Sequence, residues 1–283
     1  MGQGPSPYND VNELVQFYTE EVKQVLGENL RGVYLTGSLS CGTFDYGSSD
    51  IDITVIVHHA VSADELDAIR GFHRAMEEKF AKWARRLECT YTPAALLGSI
   101  APPREPRPWY WGGEGVLYEA APYGNEWIIN NYLLYQHGIA LYGPEFRELT
   151  GPVDIEEVQK ACIRDLFKEW EPRSNDEAWF TNSHYASYFV LNLCRILYTV
   201  MRKRAGSKKT AAVWLKRRYG DPWKGLIRTA EQWHYGVELD LRERAIAFLG
   251  FVIDEISRTP LYGWMVDEVG SLRGVSGDST LRT

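Results

Sequence analysis

Cysteine is scarce: Cys41, Cys89, Cys162 and Cys194 are the four in 283 residues, and no two are near each other. That spacing gives no disulfide framework and no pair of thiols at metal-ligand distance, so buried thiols in a reducing compartment, the cytoplasm, are expected. No stretch approaches the ~20 uninterrupted apolar residues of a membrane span. A basic excess is also missing. The 31 Lys and Arg against 38 Asp and Glu leave a net charge of −7, which excludes the basic footprint of a nucleic-acid binder and is compatible with a cationic small partner. The opening MGQGPSPYND has neither the charged nor the apolar region of a secretion signal. Gly2 and Ser6 match a loose myristoylation pattern, equally read as an ordinary terminus. There is no internal repeat and no low-complexity tract. A hydrophobic share of 45% with 24% charged residues is that of a globular chain, and its length suits about two domains.

Along the chain, apolar residues at helical spacing predict a helix over Asp10–Leu26, stopped by Gly27. Val33-Tyr34-Leu35 reads as a short strand ending at Gly37, Ser40–Ser49 as a Gly/Ser-rich loop, and Ile51–Val57 as a β-branched strand. Ser62–Arg85 reads as a helix opened by a Ser62/Glu65 capping box, and Leu87–Thr92 as another strand. A long irregular loop is expected next, holding Pro102, Pro103, Pro106, Pro108 and then Trp109-Tyr110-Trp111. From Asp154 strand signals fade. Helical patterns then cover Asp154–Trp170, Tyr185–Lys203, Ser207–Arg218, Pro222–Trp233 and Leu239–Ser257, and a loose tail follows Val269. The fold class is therefore α+β: an N-terminal domain over 1–152 with a mixed sheet and flanking helices, an all-α helical bundle over 153–270, and a tail over 271–283. A cleft between two such domains is the default place for a ligand.

The chemistry concentrates at Gly37-Ser38 and Asp50-Ile51-Asp52. In a strand, carboxylates two residues apart share a face at a separation of ~6.6 Å, while Ile51, Ile53, Val55 and Val57 point to the core. Two like charges on one face repel unless a cation sits between them, and an oxygen-only set suits Mg²⁺ completed by substrate phosphates. Gly37 lets the backbone approach a phosphate, and a helical turn after it would present N–H groups and the Ser38 hydroxyl to an anion. Phosphate at one end and Mg²⁺ at the other describe a nucleoside triphosphate site. Glu88 is a third acid, on a strand whose Leu87, Cys89 and Tyr91 face the core; it reaches a metal or takes a proton from an attacking hydroxyl. A bare Asp-x-Asp reads equally as a solvated acidic strand face; the spacing to Gly37-Ser38 and the presence of Glu88 favour the site.

The run Leu35-Thr36-Gly37-Ser38 … Ser49-Asp50-Ile51-Asp52 resembles the signature of the polymerase-β-like nucleotidyltransferase superfamily. Further on, Val190-Leu191-Asn192-Leu193-Cys194-Arg195, Ser207-Lys208-Lys209 and Ala211-Ala212-Val213-Trp214 resemble the helical domain of the streptomycin/spectinomycin adenylyltransferases, a group of aminoglycoside nucleotidyltransferases. The resemblance spans most of residues 30–260. It implies that Asp50 and Asp52 carry two Mg²⁺ ions and that Glu88 completes the metal set and acts as base. It implies further that Gly37, Ser38, Ser49 and Lys208 bind ATP, the co-substrate. The implied reaction is adenylyl transfer to a hydroxyl of a streptomycin- or spectinomycin-type antibiotic, a resistance activity, by a monomeric enzyme.

Trp170, Asp176, Glu177 and Trp179 form an aromatic-acidic patch that suits a cationic, ring-rich acceptor, or a solvated loop. Tyr185 or His184 stands where the group usually has an acid nearer the helix. Trp111 and its neighbours would stack on a ring or plug a gap. Arg195 would pair with an acid or face a phosphate. Two other readings remain open: transfer to another small-molecule or protein hydroxyl, and a non-catalytic nucleotide-binding module.

Overall fold

The apolar stripe Val11, Leu14, Val15, Tyr18 and Val22 folds Asn9–Leu26 (α1) and is fully buried. The structure, a computed structural model, describes residues 4–274. Gly2 of the myristoylation pattern and positions 275–283 of the expected tail lie outside the described residues. After α1 come Leu30–Thr36 (β1), Gly37–Ser40 (α2, a single turn), Ile51–Val57 (β2), Ala63–Lys79 (α3), Ala81–Ala84 (α4) and Leu87–Pro93 (β3). Arg107–Trp111 (β4), Val116–Ala121 (β5), Glu126–His137 (α5), Ile139–Tyr142 (β6) and Phe146–Leu149 (α6) follow. The six strands form one mixed sheet in the order β5-β4-β3-β2-β1-β6, in which only β2 and β3 run parallel. Their crossover is α3, opened by the Ser62/Glu65 capping box read from the sequence. The expected continuation of this helix to Arg85 breaks at Phe80, which leaves helical geometry and packs on Phe17 at 5.4 Å.

One face of the sheet is the core. Leu35, Ile51, Ile53, Val55, Leu87, Cys89, Tyr91 and Tyr110 pack there with α1 and α3, and Ile51, Ile53, Val55 and Val57 point inward as their alternation requires. The segment expected as a proline-rich loop is corrected here: Trp109-Tyr110-Trp111 lies in β4. Aromatics favour a pleated surface, and alternation sends Tyr110 to the core, where its hydroxyl donates to Glu77 Oε1 at 2.8 Å, and sends Trp109 and Trp111 to the other face. Pro108 sits where the register to β5 shifts between Arg107 and Trp109, a position at which a missing N–H is tolerated.

His73 of α3 sits inside this core, its ring between Phe72 and Tyr110 at 4.4 and 4.0 Å. The Tyr91 hydroxyl lies 3.0 Å from its Nε2, and Tyr18 donates to Tyr91 at 3.1 Å. Burial pulls the His73 pKa down to about 3. The folded state therefore holds the neutral ring, and this stability is complete above the unfolded value near 6.5 and is lost as pH falls toward about 3. Between pH 7 and 4.5 the wild type should lose about 2–3 kcal/mol more than His73→Phe. Urea unfolding at the two pH values checks this, and parallel losses would show that His73 does not carry the effect.

The chain divides into two compact units, the first ending at Val153 and the second beginning at Asp154. The second is all helical: Ile155–Asp165 (α7), a wider π turn Leu166–Trp170, Glu171–Arg173 (α8), Glu177–Thr181 (α9), Ser183–Arg202 (α10), Lys208–Arg218 (α11), Trp223–Glu231 (α12), Arg242–Ser257 (α13) and Pro260–Gly274 (α14). α10 is its buried axis, packed by α7, α11, α12 and α13. The expected tail from 271 is corrected in part: residues 271–274 still belong to α14, whose buried Leu261, Met265 and Val269 anchor it despite its glycines. No helix among the described residues is long and apolar enough to cross a membrane.

Candidate active site

The face opposite the core is polar, and its residues line up by register. Thr36 of β1 pairs with Asp52 of β2, Asp52 with Glu88 of β3, and Glu88 with Trp111 of β4. Register partners share a face, so Asp52 and Glu88 are neighbours although 36 positions apart in the chain (88 − 52). One pair further along stand Thr54, Thr90 and Trp109. Asp52 and Glu88 are both half-buried. Asp50 directly precedes β2.

Gly37 follows β1 with φ +64° and starts the turn α2. A Cβ here would meet Asp52 Oδ2 at 1.9 Å, so the glycine is needed twice, for its backbone angle and for the carboxylate packed against it. Ser38 follows, and its Oγ is buried with no hydrogen-bond partner among the described residues. Native structures rarely leave such a group unmatched, so the Ser38 hydroxyl fits a hydrogen-bonding ligand. The loop then closes on itself: Asp45 Oδ1 accepts from Gly47 N at 2.8 Å and Ser48 N at 3.1 Å, and Ser49 Oγ accepts from Asp45 N at 2.9 Å. Ser49 thus shapes the loop that delivers Asp50.

Asp50, Asp52 and Glu88 were expected as a three-carboxylate metal set. Among the described residues no three His, Cys, Asp or Glu side chains form a group that could hold a metal ion unaided. Mg²⁺ needs no such cage, since it takes one or two carboxylates and fills its shell with water and substrate phosphate. The oxygen-only donors at Asp50 and Asp52, beside the unmatched Ser38 hydroxyl, fit a Mg-nucleotide.

Further along the same face, α5 covers the sheet around a cavity of about 40 Å³ lined by Thr54, Thr90, Arg107 and Asn131. Arg107 is mostly buried; it donates to Thr90 Oγ1 at 2.8 Å and to the Pro122 carbonyl, and Glu126 lies at 3.6 Å. Burial lowers its pKa, and Glu126, Tyr123 and Glu88 oppose that shift. The cavity holds two or three waters at most by its volume, not an antibiotic. The same face continues to the row of Asp52, Glu88 and Trp111. There Trp109 stacks on Trp111 at 6.1 Å and on Tyr118 at 5.3 Å. The sequence reading singles out Trp109 and Trp111 as stacking aromatics but not their place in a strand, nor Tyr118 and Arg107; the alternation in Trp-Tyr-Trp was the available signal.

The remaining expected residues belong to the second unit. Trp170, expected at the acceptor, is 6% exposed; its Nε1 donates to Asp165 Oδ2 at 2.7 Å, and its ring packs edge-on to Phe189 at 5.7 Å. Asp176 caps α9 by accepting from Trp179 N at 3.2 Å, and Glu177 is exposed and paired with Arg242 at 3.1 Å. Tyr185 stacks flat on Trp179 at 4.5 Å. Lys208 begins α11 behind the Ser207 cap, and its Nζ lies 4.1 Å from the Tyr188 ring centre.

Residues 149–254 match the family described as aminoglycoside adenylyltransferase, C-terminal domain. The aminoglycoside (3'') (9) adenylyltransferase of Rhizobium radiobacter is 26% identical over 266 residues, covering 90% of this chain and 82% of the relative. The crystal structure of spectinomycin adenyltransferase AAD(9) from Enterococcus faecialis with ATP and spectinomycin matches with a TM-score of 0.67. At 15% identity it covers 87% of this chain and 99% of that one.

Proposed function

We propose that this chain, which belongs to the aminoglycoside nucleotidyltransferases, transfers the adenylyl group of ATP to a hydroxyl of a cationic aminocyclitol antibiotic of the spectinomycin or streptomycin type. The row Thr36–Asp52–Glu88–Trp111 carries the reading. It sets the strand end that leads into the Gly37 turn, two carboxylates and an aromatic ring side by side on one polar face. Asp50 and Asp52 would hold Mg²⁺, with Glu88 beside them, and the ions when bound neutralise charge on the α-phosphate and the leaving pyrophosphate. The Gly37 turn and the Ser38 hydroxyl take the triphosphate tail.

Glu88 removes the proton of the attacking hydroxyl. The acceptor oxygen then bonds to the α-phosphorus as the bond to the β-phosphate oxygen breaks, and pyrophosphate leaves with that electron pair. The proton remains on Glu88 until solvent takes it. Trp111, next to Glu88, offers its face to the acceptor ring.

Incubation with Mg-ATP and streptomycin, spectinomycin, kanamycin or lincomycin tests the proposal, with pyrophosphate release and one added adenylyl group in the mass spectrum as readouts. Spectinomycin or streptomycin should be modified. ATP binding without transfer to any of the four would move the acceptor to another small molecule or a protein hydroxyl.

A further inference from the structure

The loop that carries Asp50 is held from outside the site. Tyr46 stands at its tip, and the Tyr46 hydroxyl donates to Asp10 Oδ2 at 2.7 Å. The same carboxylate oxygen accepts from Trp83 Nε1 at 2.7 Å, and Lys82 lies 3.9 Å away. These interactions together hold the Asp10 carboxyl below its usual range although burial opposes them. The Tyr46 ring packs edge-on to Trp83 at 5.1 Å and against Tyr8 at 4.6 Å, and the Lys82 ammonium sits 3.5 Å from its centre. Arg86 ties both ends of the segment: its Nη1 donates to the Tyr46 carbonyl at 2.9 Å, and its own carbonyl accepts from Ile51 N at 2.7 Å. Between those two anchors lie only Gly47, Ser48, Ser49 and Asp50.

We infer that Asp10, through Tyr46 and Trp83, is a positioning residue for Asp50: it fixes the loop so that the Asp50 carboxylate is already in place when Mg-ATP arrives. The inference rests on the proposed nucleotide site. Asp10 touches no reacting atom, and it lies on α1, on a different element from every acid of the site. Its side chain is 44% exposed, and exposed polar contacts of this kind contribute little to global stability. A loop four residues long between fixed ends nonetheless transmits any loss of its outer anchor to Asp50.

The test compares wild type with Asp10→Ala, Asp10→Asn and Tyr46→Phe by titration calorimetry with Mg-ATP, which needs no acceptor, alongside melting temperature. Asp10→Ala and Tyr46→Phe should each weaken Mg-ATP binding by about tenfold, with the melting temperature shifted by only a few degrees. Asp10→Asn keeps a carbonyl oxygen for the two donors and should recover most of the affinity. In turnover the KM for ATP should rise while the KM for the acceptor holds. Wild type that binds Mg-ATP, with Asp10→Ala and Tyr46→Phe within twofold of it, overturns the positioning role alone. Weakening by Asp10→Ala that Asp10→Asn does not recover also overturns it. Wild type that binds no Mg-ATP overturns the positioning role together with the nucleotide site.

Discussion

Asp52→Asn is expected to reduce adenylyl transfer by about 10³-fold or more, without loss of folded stability. Asparagine keeps the shape that packs against Gly37, so the turn at Ser38 is undisturbed. It removes one of the charges that would hold Mg²⁺, and several kcal/mol of transition-state stabilisation go with it. In the metal-free protein the sign reverses. Asp52 and Glu88 are register partners in a parallel pair, and like charges so placed destabilise a sheet by up to about 1 kcal/mol. The melting temperature of the metal-free variant should therefore hold or rise. Pyrophosphate release and calorimetric melting measure the two effects, and a fall of several degrees would assign Asp52 to the fold rather than to the chemistry.

Glu88→Gln should lower the rate by about 10²–10⁴-fold while Mg-ATP still binds. Glutamine is isosteric and stays in the row between Asp52 and Trp111, but it cannot take the proton of the attacking hydroxyl. Single-turnover measurement with saturating acceptor isolates that step. A loss below tenfold with intact binding would pass the proton to another group and leave Glu88 as an ion holder.

The outward direction of Asp52 and Glu88 was legible because a strand alternates its faces. With Ile51, Ile53 and Val55 claimed by the core, Asp52 had one direction left, and the same reasoning turned Glu88 outward from Leu87 and Cys89. The register that makes the two neighbours could not be read, since the parallel pairing depends on how α3 carries the chain across. Trp109-Tyr110-Trp111 was mistaken for loop because four prolines precede Trp109, although the prolines end where the alternation begins. The sequence reading misses α5 because Glu126–His137 mixes Trp, Ile and Leu with Asn without a clear apolar stripe. Trp170 carried an aromatic signal without a direction. Only the packing of α10 shows that its ring turns inward. The Asp10–Tyr46 contact joins residues 36 apart (46 − 10) on elements with no shared pattern, and no local rule reaches that far.

Position 37 answers to two constraints that come apart. The contact with Asp52 Oδ2 disappears in any descendant that has traded the aspartate for something smaller, while the left-handed backbone angle at +64° does not depend on Asp52 at all. A lineage that has abandoned catalysis would still find alanine costly at 37. Among relatives of this chain, retention of that glycine therefore reports an intact turn and says little about activity. On the proposed mechanism, loss of the acids at 52 and 88 would separate a degenerate copy from a working one.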